Sequence, residues 1–231
     1  MIHTRLYLGH KSRVIIVQLL KLGAAIALLA ACSTAAATPE PANADRSFTT
    51  GQPCAAPCWY GLELNKATEK DVLAKLNELP FVDHTAIRTS SSPMSVLYRI
   101  ETRIDYGCAE PRGQYCGSLV WYDDKLKQID IAVQYSLTLQ TVVNMLGKPV
   151  YYRNGAATPH GQGCFVEVDW PDKGMSVTST DYDSNTVCQA LSSGKGFDPM
   201  TPVTEIDYLA DALLRRVGEC GCIDWPGFQG P

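Results

Sequence analysis

Cysteine is the residue type in this chain whose spacing suggests definite chemistry. Eight of the nine cysteines follow residue 53, and an even number favours disulfide bonds in an oxidising compartment. A disulfide stabilises a fold mainly by restricting the unfolded chain. The eight candidates are Cys54, Cys58, Cys108, Cys116, Cys164, Cys188, Cys220 and Cys222.

Two of the possible bridges are local. Cys108 and Cys116 flank a loop at 111–113, and a bond between them would close that loop. Cys164 and Cys188 bracket a predicted hairpin, and a bond between them would hold its two ends together.

The other four cysteines lie near the two ends of the predicted domain. Cys220 and Cys222 have one residue between them, so a bridge between them would form a very tight ring. We therefore expect Cys220 and Cys222 to pair with Cys54 and Cys58, which would tie the end of the domain to its start. The rival arrangement is two local bridges, Cys54–Cys58 and Cys220–Cys222.

Metal binding and redox catalysis are the main alternatives for the cysteines. Neither has its usual motif, because no C-x-x-C pair occurs and neither His84 nor His160 has a second histidine at ligand spacing. We expect no metal and no cofactor. The hydrolase signatures G-x-S-x-G and H-E-x-x-H are also absent. Both histidines are interpreted as solvated surface residues.

One acidic segment has part of the spacing of a calcium loop. Residues 181–185 read D-x-D-x-N, which places three oxygen ligands in order. The next position should be Gly but is Thr186, and the twelfth should be Glu but is Ser192. A polar strand end is the better interpretation. Acidic residues elsewhere are scattered, so a glycan hydrolase with two carboxylates stays an alternative without an identified pair.

Four large aromatic residues, Trp59, Tyr60, Trp225 and Phe228, lie at the two ends of the predicted domain. The expected disulfides would bring these rings together. They would then form either a small core cluster that seals the domain or a binding patch, since Trp and Tyr are common interface anchors.

Two segments are predicted to be short helices that begin at a Thr and end before a Pro. The first runs from Thr68 towards Pro80, and the second runs from Thr138 towards Pro149. In each, aliphatic residues follow the Thr at +4, +5 and +8 and share one helical face. The Thr hydroxyl can accept a free backbone N–H of the first turn, and the Pro prevents the helix from continuing.

After each helix the apolar pattern changes to period two, which is typical of half-buried antiparallel strands. Residues 96–106 alternate, and 119–133 are predicted to form a hairpin. In the second half a strand starts at 150–152. Residues 164–170 then alternate and pair with 175–182 across the turn at 171–174, where Pro and Gly favour a turn.

A last helix is expected to begin at Thr201-Pro202 and to end near Gly218, because Pro suits a first helical turn and Gly a helix end. Its apolar stripe would be Val203, Ile206, Leu209, Ala210, Leu213, Leu214 and Val217.

These features resemble known families. A Thr-capped helix that ends near Gly-x-Pro and precedes a meander resembles the BamE/SmpA outer-membrane lipoproteins, and the tandem version resembles the β-lactamase-inhibitor-protein fold. The segment 57–61, Pro-Cys-Trp-Tyr-Gly, is similar to uncharacterised lipoproteins of Chloroflexi-type bacteria. The resemblance spans roughly residues 57–182. It implies protein binding through the sheet and loops, and it identifies no binding residue.

The predicted fold class is α+β, with two helix-plus-antiparallel-meander repeats, the helices on one face of the sheet, and a C-terminal helix. The predicted boundaries are 1–31 for a signal peptide, 32–53 for a lipidated Cys and flexible tether, 54–134 for the first repeat, 135–190 for the second, and 191–231 for the C-terminal helix and aromatic tail.

The N-terminus resembles a bacterial lipoprotein signal. An aliphatic stretch leads to the sequence Leu-Ala-Ala-Cys, which ends at Cys32. The resemblance implies that Cys32 carries lipid and becomes the first mature residue. A signal anchor and ordinary secretory cleavage are the alternatives. Residues 1–31 contain no acidic residue, and their basic residues are Arg5, Lys11, Arg13 and Lys21.

Removal of residues 1–31 would leave an acidic protein. The chain has 20 Lys and Arg against 24 Asp and Glu, so loss of four basic residues gives a net charge of about −8. Such a charge repels phosphate, and we expect no nucleic acid partner. The Ala-, Thr- and Pro-rich residues 33–53 would be a tether with a span of roughly 25 Å.

The sequence therefore predicts an exported protein, anchored by lipid at Cys32 to the outer face of a bacterial membrane. Its expected role is non-catalytic binding of a protein partner in the cell envelope. The alternative is a cell-wall or glycan hydrolase that depends on carboxylates.

Overall fold

The architecture was obtained as a computed structural model. The structure describes residues 40–94, 99–156, 163–181, 186–210 and 222–229. The predicted signal sequence, Cys32, His160, Cys220 and residues 211–218 of the expected last helix lie outside the described residues.

Within these described ranges, nine antiparallel strands form one sheet in the order β1-β2-β3-β4-β8-β7-β6-β5-β9. The strands are β1 Val82–Met94, β2 Arg99–Cys108, β3 Tyr115–Tyr122, β4 Lys125–Ala132, β5 Tyr151–Ala156, β6 Cys164–Trp170, β7 Met175–Asp181, β8 Glu205–Leu209 and β9 Ile223–Asp224. The described helices are short: α1 Ser47–Thr50, α2 Glu69–Glu78, α3 Leu139–Leu146 and α4 Thr186–Ser192.

The two capped helices are confirmed because their signals are local. Thr68 and Asp71 form a reciprocal capping box at the start of α2. Thr138 accepts the backbone N–H of Thr141 at the start of α3. The predicted hairpin is also confirmed, since β3 and β4 meet at Tyr122 and Lys125. Its two turn residues both have positive φ, as in a type I′ turn.

The predicted fold class is wrong. One continuous sheet replaces two helix-plus-meander repeats with helices on one face, and the segment expected to begin a C-terminal helix supplies the central strand β8. The physical reason is long-range pairing. Ile206 lies opposite Ile131 of β4 on one side and Val177 of β7 on the other, and all three are buried.

The predicted tether extends too far. Asp45 and Phe48 are buried, and Ser47–Thr50 is helical. Trp59 Nε1 donates to Asp45 Oδ2 at 2.7 Å, and Tyr60 Oη donates to Asp45 Oδ1 at 3.2 Å. The ordered part of the chain therefore includes the segment from Glu40 to Pro53.

The hydrophobic core lies against one face of the sheet. The strands contribute buried side chains that alternate along the chain, such as Ile104 and Tyr106 of β2. Helix α2 adds Val72 and Leu76 to the same core cluster. The residues between the apolar ones must point to the opposite face of the sheet.

Candidate functional site

The face of the sheet opposite the core carries a continuous polar row. Its members come from successive strands and are cross-strand partners, so their side chains share one face. From the β1 edge to the β9 edge the row consists of Arg88, Asp105, Ser118, Asp130, Asp207, Ser176, Asp169, Tyr151 and Asp224.

The middle of this row is buried although it is acidic. Asp130 is 3% exposed, Asp207 is 8% exposed, and Asp169 has no exposed surface. Lone carboxylates of this kind are costly to bury, because water no longer stabilises their charge. Each of them therefore needs a hydrogen-bond donor, a counter-charge or a proton.

Asp130, Glu205 and Asp207 form the acidic cluster, with carboxylate oxygens within 4.8 Å of one another. Ser118 Oγ donates to Asp130 Oδ2 at 2.5 Å, and Gln128 Nε2 donates to Asp130 Oδ1 at 2.6 Å. The hydroxyl of Ser118 and the amide of Gln128 thus satisfy both oxygens of Asp130.

The other two members of the acidic cluster have fewer donors. Ser176 Oγ lies 3.1 Å from Asp207 Oδ2. Burial raises the pKa of Glu205 to about 7, and the negative charge of Asp130 adds to the shift. Burial also raises the pKa of Asp207 well above its usual range, with further contributions from the charges of Asp130 and Glu205.

Asp169 is a second buried acid in the same row. Among the described residues, neither of its oxygens has a hydrogen-bond partner. Burial raises the pKa of Asp169 to about 7, the charge of Glu167 adds to the shift, and Arg153 opposes it. Arg153 instead pairs directly with Glu167, its cross-strand partner.

This arrangement is suited to sharing protons. Closely spaced carboxylates cannot all ionise in a buried place, so some of them hold protons near neutral pH. Proximity of acids does not by itself make a cation site, and we assign no metal to the acidic cluster. A glycan hydrolase would need carboxyl groups that reach the substrate, whereas Asp130 and Asp169 are buried.

Sequence reasoning missed the acidic cluster because two of its members lay in the wrongly predicted helix. The alternation Glu205-Ile206-Asp207-Tyr208 is the signal that identifies a strand with a polar face. Asp130 gave no signal of its own, since only the β4–β8 pairing brings it to Asp207.

The described disulfides are local. Cys108–Cys116 and Cys164–Cys188 are bonded as expected. Cys54 bonds Cys58, so the favoured bridge from this pair to the chain end is wrong and this part of the rival arrangement holds. A tight turn brings the two cysteines together more readily than the distant chain end. Cys222 is also disulfide-bonded.

The four aromatic residues do not come together. Trp59 and Tyr60 pack with Phe81 on one side of the core.

At the other chain end, Trp225 stacks on Phe197 at 4.5 Å and contacts Phe228. Trp59 is fully buried and Trp225 is 9% exposed. Among the described residues, no ring contact joins the two groups, so each seals its own part of the core.

His84 is exposed, as expected for a surface residue. Of the calcium-loop residues, the structure describes Asp181 at the end of β7 and Thr186 at the start of α4, and it leaves out those between them. Within the described ranges, none of the helices combines the length and apolarity that crossing a membrane requires.

Comparison with known proteins found no matching family model, curated protein or solved structure.

Proposed function

We propose that the chain is an exported lipoprotein, anchored through Cys32, that binds an envelope protein without catalysis. The partner supplies an extended segment that pairs with the outer edge of β1. The anchor rests on the basic N-terminus, the aliphatic stretch and the Leu-Ala-Ala-Cys sequence. The three described disulfides agree with an oxidising compartment outside the cytoplasm.

The observation that carries the binding proposal is the open edge of β1. This strand has 13 residues and ends the sheet, so among the described residues it pairs with β2 alone. Its side chains from Arg88 to Pro93 are exposed. An edge strand presents free backbone N–H and C=O groups, and a partner strand can add to it.

Side chains beside the edge would give the pairing its selectivity. Ile100 of β2 lies opposite Pro93 and is 68% exposed. Ile100 also lines a groove of about 680 Å³ together with Thr68 and Trp121. A long apolar side chain from the added strand would reach over Pro93 to contact Ile100.

The glycan hydrolase alternative has close carboxylates, but those of Asp130, Asp207 and Asp169 are buried. Asp169 has no exposed surface and Asp130 has 3%. A polysaccharide could not place its glycosidic bond between these groups. We therefore favour binding over hydrolysis.

Two adjacent proline variants test the edge. Neighbouring residues of a strand direct their N–H groups to opposite sides, so Ser90→Pro and Ser91→Pro remove one outward and one inward donor. The variant with the inward loss weakens the β1–β2 pairing. The variant with the outward loss should keep the wild-type unfolding midpoint and lose the partner in a crosslinked membrane pull-down. The variant with the lower unfolding midpoint is thus identified as the one that lost the inward donor.

The wild-type chain and a tether-only chain of residues 1–39 are the controls for this pull-down. Capture of the same protein by the wild type and by the outward-loss variant would contradict binding at the edge. Recovery of a second copy of the chain instead of another protein would replace the proposed partner by self-association.

A further inference from the structure

The pairing of β4 with β8 joins two sets of strands into one sheet. Strands β1–β4 lie on one side of this junction, and β8, β7, β6, β5 and β9 lie on the other. The junction is short, with five registered pairs from Gln128–Leu209 to Ala132–Glu205. The central pair is Asp130 and Asp207. Two acids thus face each other at the middle of the junction.

Like charges directly opposite each other destabilise a strand pair. Asp130 has two donors, and Arg103 Nη2 lies 3.8 Å from its Oδ2. Asp130 is therefore the member best suited to carry a negative charge. Within the described ranges, Asp207 and Glu205 have no comparable set of donors and positive charge. Each of them avoids repulsion when it holds a proton.

The described residues around the acidic cluster do not supply the missing positive charge. The polar face carries the neutral side chains of Ser118, Gln128 and Ser176 beside the acidic cluster. Strands β2, β3, β5 and β6 contribute ionisable groups around it, and β7 contributes the neutral Thr178. Those ionisable groups are Arg103, Asp105, Tyr115, Arg153, Glu167 and Asp169. Arg103 also pairs with Asp105, and Arg153 pairs with Glu167, so both arginines already have carboxylate partners.

We propose that the β4–β8 junction is a proton-controlled clamp. With protons on Glu205 and Asp207, the acidic cluster carries one negative charge, on Asp130, and the two strands stay paired. When those protons pass to water at alkaline pH, three charges lie within 4.8 Å in a buried place and push the strands apart. External pH would thus set how firmly the two sets of strands are held together.

Hydrogen exchange tests the clamp on the full chain in detergent. The readout is the protection of amides in β4 and β8 at pH 6 and pH 8.5, corrected for the intrinsic pH dependence of exchange. In the wild type, the protection factors should fall about tenfold or more between pH 6 and pH 8.5. Each pKa unit of difference between the paired and the separated strands changes the equilibrium between them by a factor of ten. Amides of the β6–β7 hairpin should change less.

Asp207→Asn imitates the protonated side chain and should abolish most of this fall. Asp172→Asn is the matched control, because Asp172 lies on the exposed turn at 171–173 and its side chain is 67% exposed. This control should keep the wild-type fall. If Asp207→Asn does not fold, Glu205→Gln takes its place with the same expectation of reduced pH dependence.

Two results would overturn the clamp. One is a fall in β4 and β8 protection that is equal in the wild type and in the neutral variant. The other is full recovery of protection at pH 8.5 on addition of millimolar calcium or magnesium chloride, because the acidic cluster would then be a cation site.

Discussion

Asp130 of β4 and Asp207 of β8 are cross-strand partners in the middle of the sheet, and both are buried. Their separation along the chain is large, and the β4–β8 pairing alone brings them together. A buried acid pair at such a junction links the protonation of the protein to its stability, because the folded state binds protons that the unfolded state releases.

The free energy of unfolding should fall as pH rises from about 5 to 8. The pKa of Glu205 is raised from 4.5 to about 7 on folding, and burial also raises the pKa of Asp207 well above its usual range. The stability from a raised pKa is fully present below the unfolded pKa and is lost as pH rises through the folded pKa. Each group contributes up to about 1.4 kcal/mol per pH unit in that interval.

Urea unfolding at a series of pH values measures this slope. Hydrogen bonds lower the pKa values of three other acids, Glu40, Asp71 and Asp83. Their effect on stability has the opposite sign: the stabilisation is present above about pH 4.5 and is lost as the pH falls below that value. Stability that rises from pH 5 to pH 8 would contradict the interpretation of the acidic cluster.

Asp169→Asn should stabilise the protein at pH 8. The carboxyl has no exposed surface and, in the part of the chain that the structure describes, no hydrogen-bond partner. Burial raises its pKa to about 7. Removal of the charge should add about 1 to 2 kcal/mol to the free energy of unfolding at pH 8 and much less at pH 5. Asp172→Asn, on the exposed turn, should change stability by less than about 0.5 kcal/mol. Destabilisation by Asp169→Asn at pH 8 would show that the carboxylate has a favourable partner.

Asp45 should be necessary for the ordered N-terminal segment. It accepts hydrogen bonds from Trp59 Nε1, Tyr60 Oη and the backbone N–H of Ser47. Asp45→Ala leaves these donors unpaired and should cost about 3 kcal/mol, whereas Trp59→Phe removes one donor and should cost less. Urea unfolding measures both, and faster proteolysis near residues 40–50 should accompany Asp45→Ala. Equal stability of Asp45→Ala and wild type would show that this segment is not held by Asp45.

The contribution of each disulfide to the free energy of unfolding should increase with the length of the loop that it closes. Cys164–Cys188 has a sequence separation of 24, Cys108–Cys116 of 8, and Cys54–Cys58 of 4. In the chain-entropy model their removal costs about 3.5, 2.6 and 2.1 kcal/mol. Paired Cys→Ala variants, unfolded in urea, test this order. If the Cys54/Cys58 variant lost more free energy of unfolding than the Cys164/Cys188 variant, contacts in the native state would dominate the disulfide contribution instead of loop entropy.

Local signals in the sequence were sufficient for several elements. The Thr68 and Thr138 caps, the Asp123-Asp124 turn and the alternation in 164–170 each depend on neighbours along the chain. The remaining elements depend on strand pairing between segments that are far apart in the sequence. Thr201-Pro202 and the apolar residues after it fit a helix start, but the partners Ile131 and Val177 make 205–209 a strand.

The candidate site was less predictable than the fold for the same reason. Glu205, Asp207 and Asp169 look like ordinary exposed acids in their own segments. The burial of Asp207 and Asp169, and the short distances within the acidic cluster, depend on the strand order of the whole sheet. The local disulfides could be expected from spacing, but the choice between Cys54–Cys58 and a bridge to the chain end required the structure.

Lipid attachment at Cys32 tests the central claim most directly, because the compartment and the partner both depend on it. Metabolic labelling of expressing bacteria with a fatty-acid analogue should label the wild-type chain. Cys32→Ser should lose the label and leave the membrane fraction, and Ser33→Ala should keep both the label and the fractionation. Equal labelling of the wild type and Cys32→Ser, or no label on the wild type, would contradict the proposed anchor.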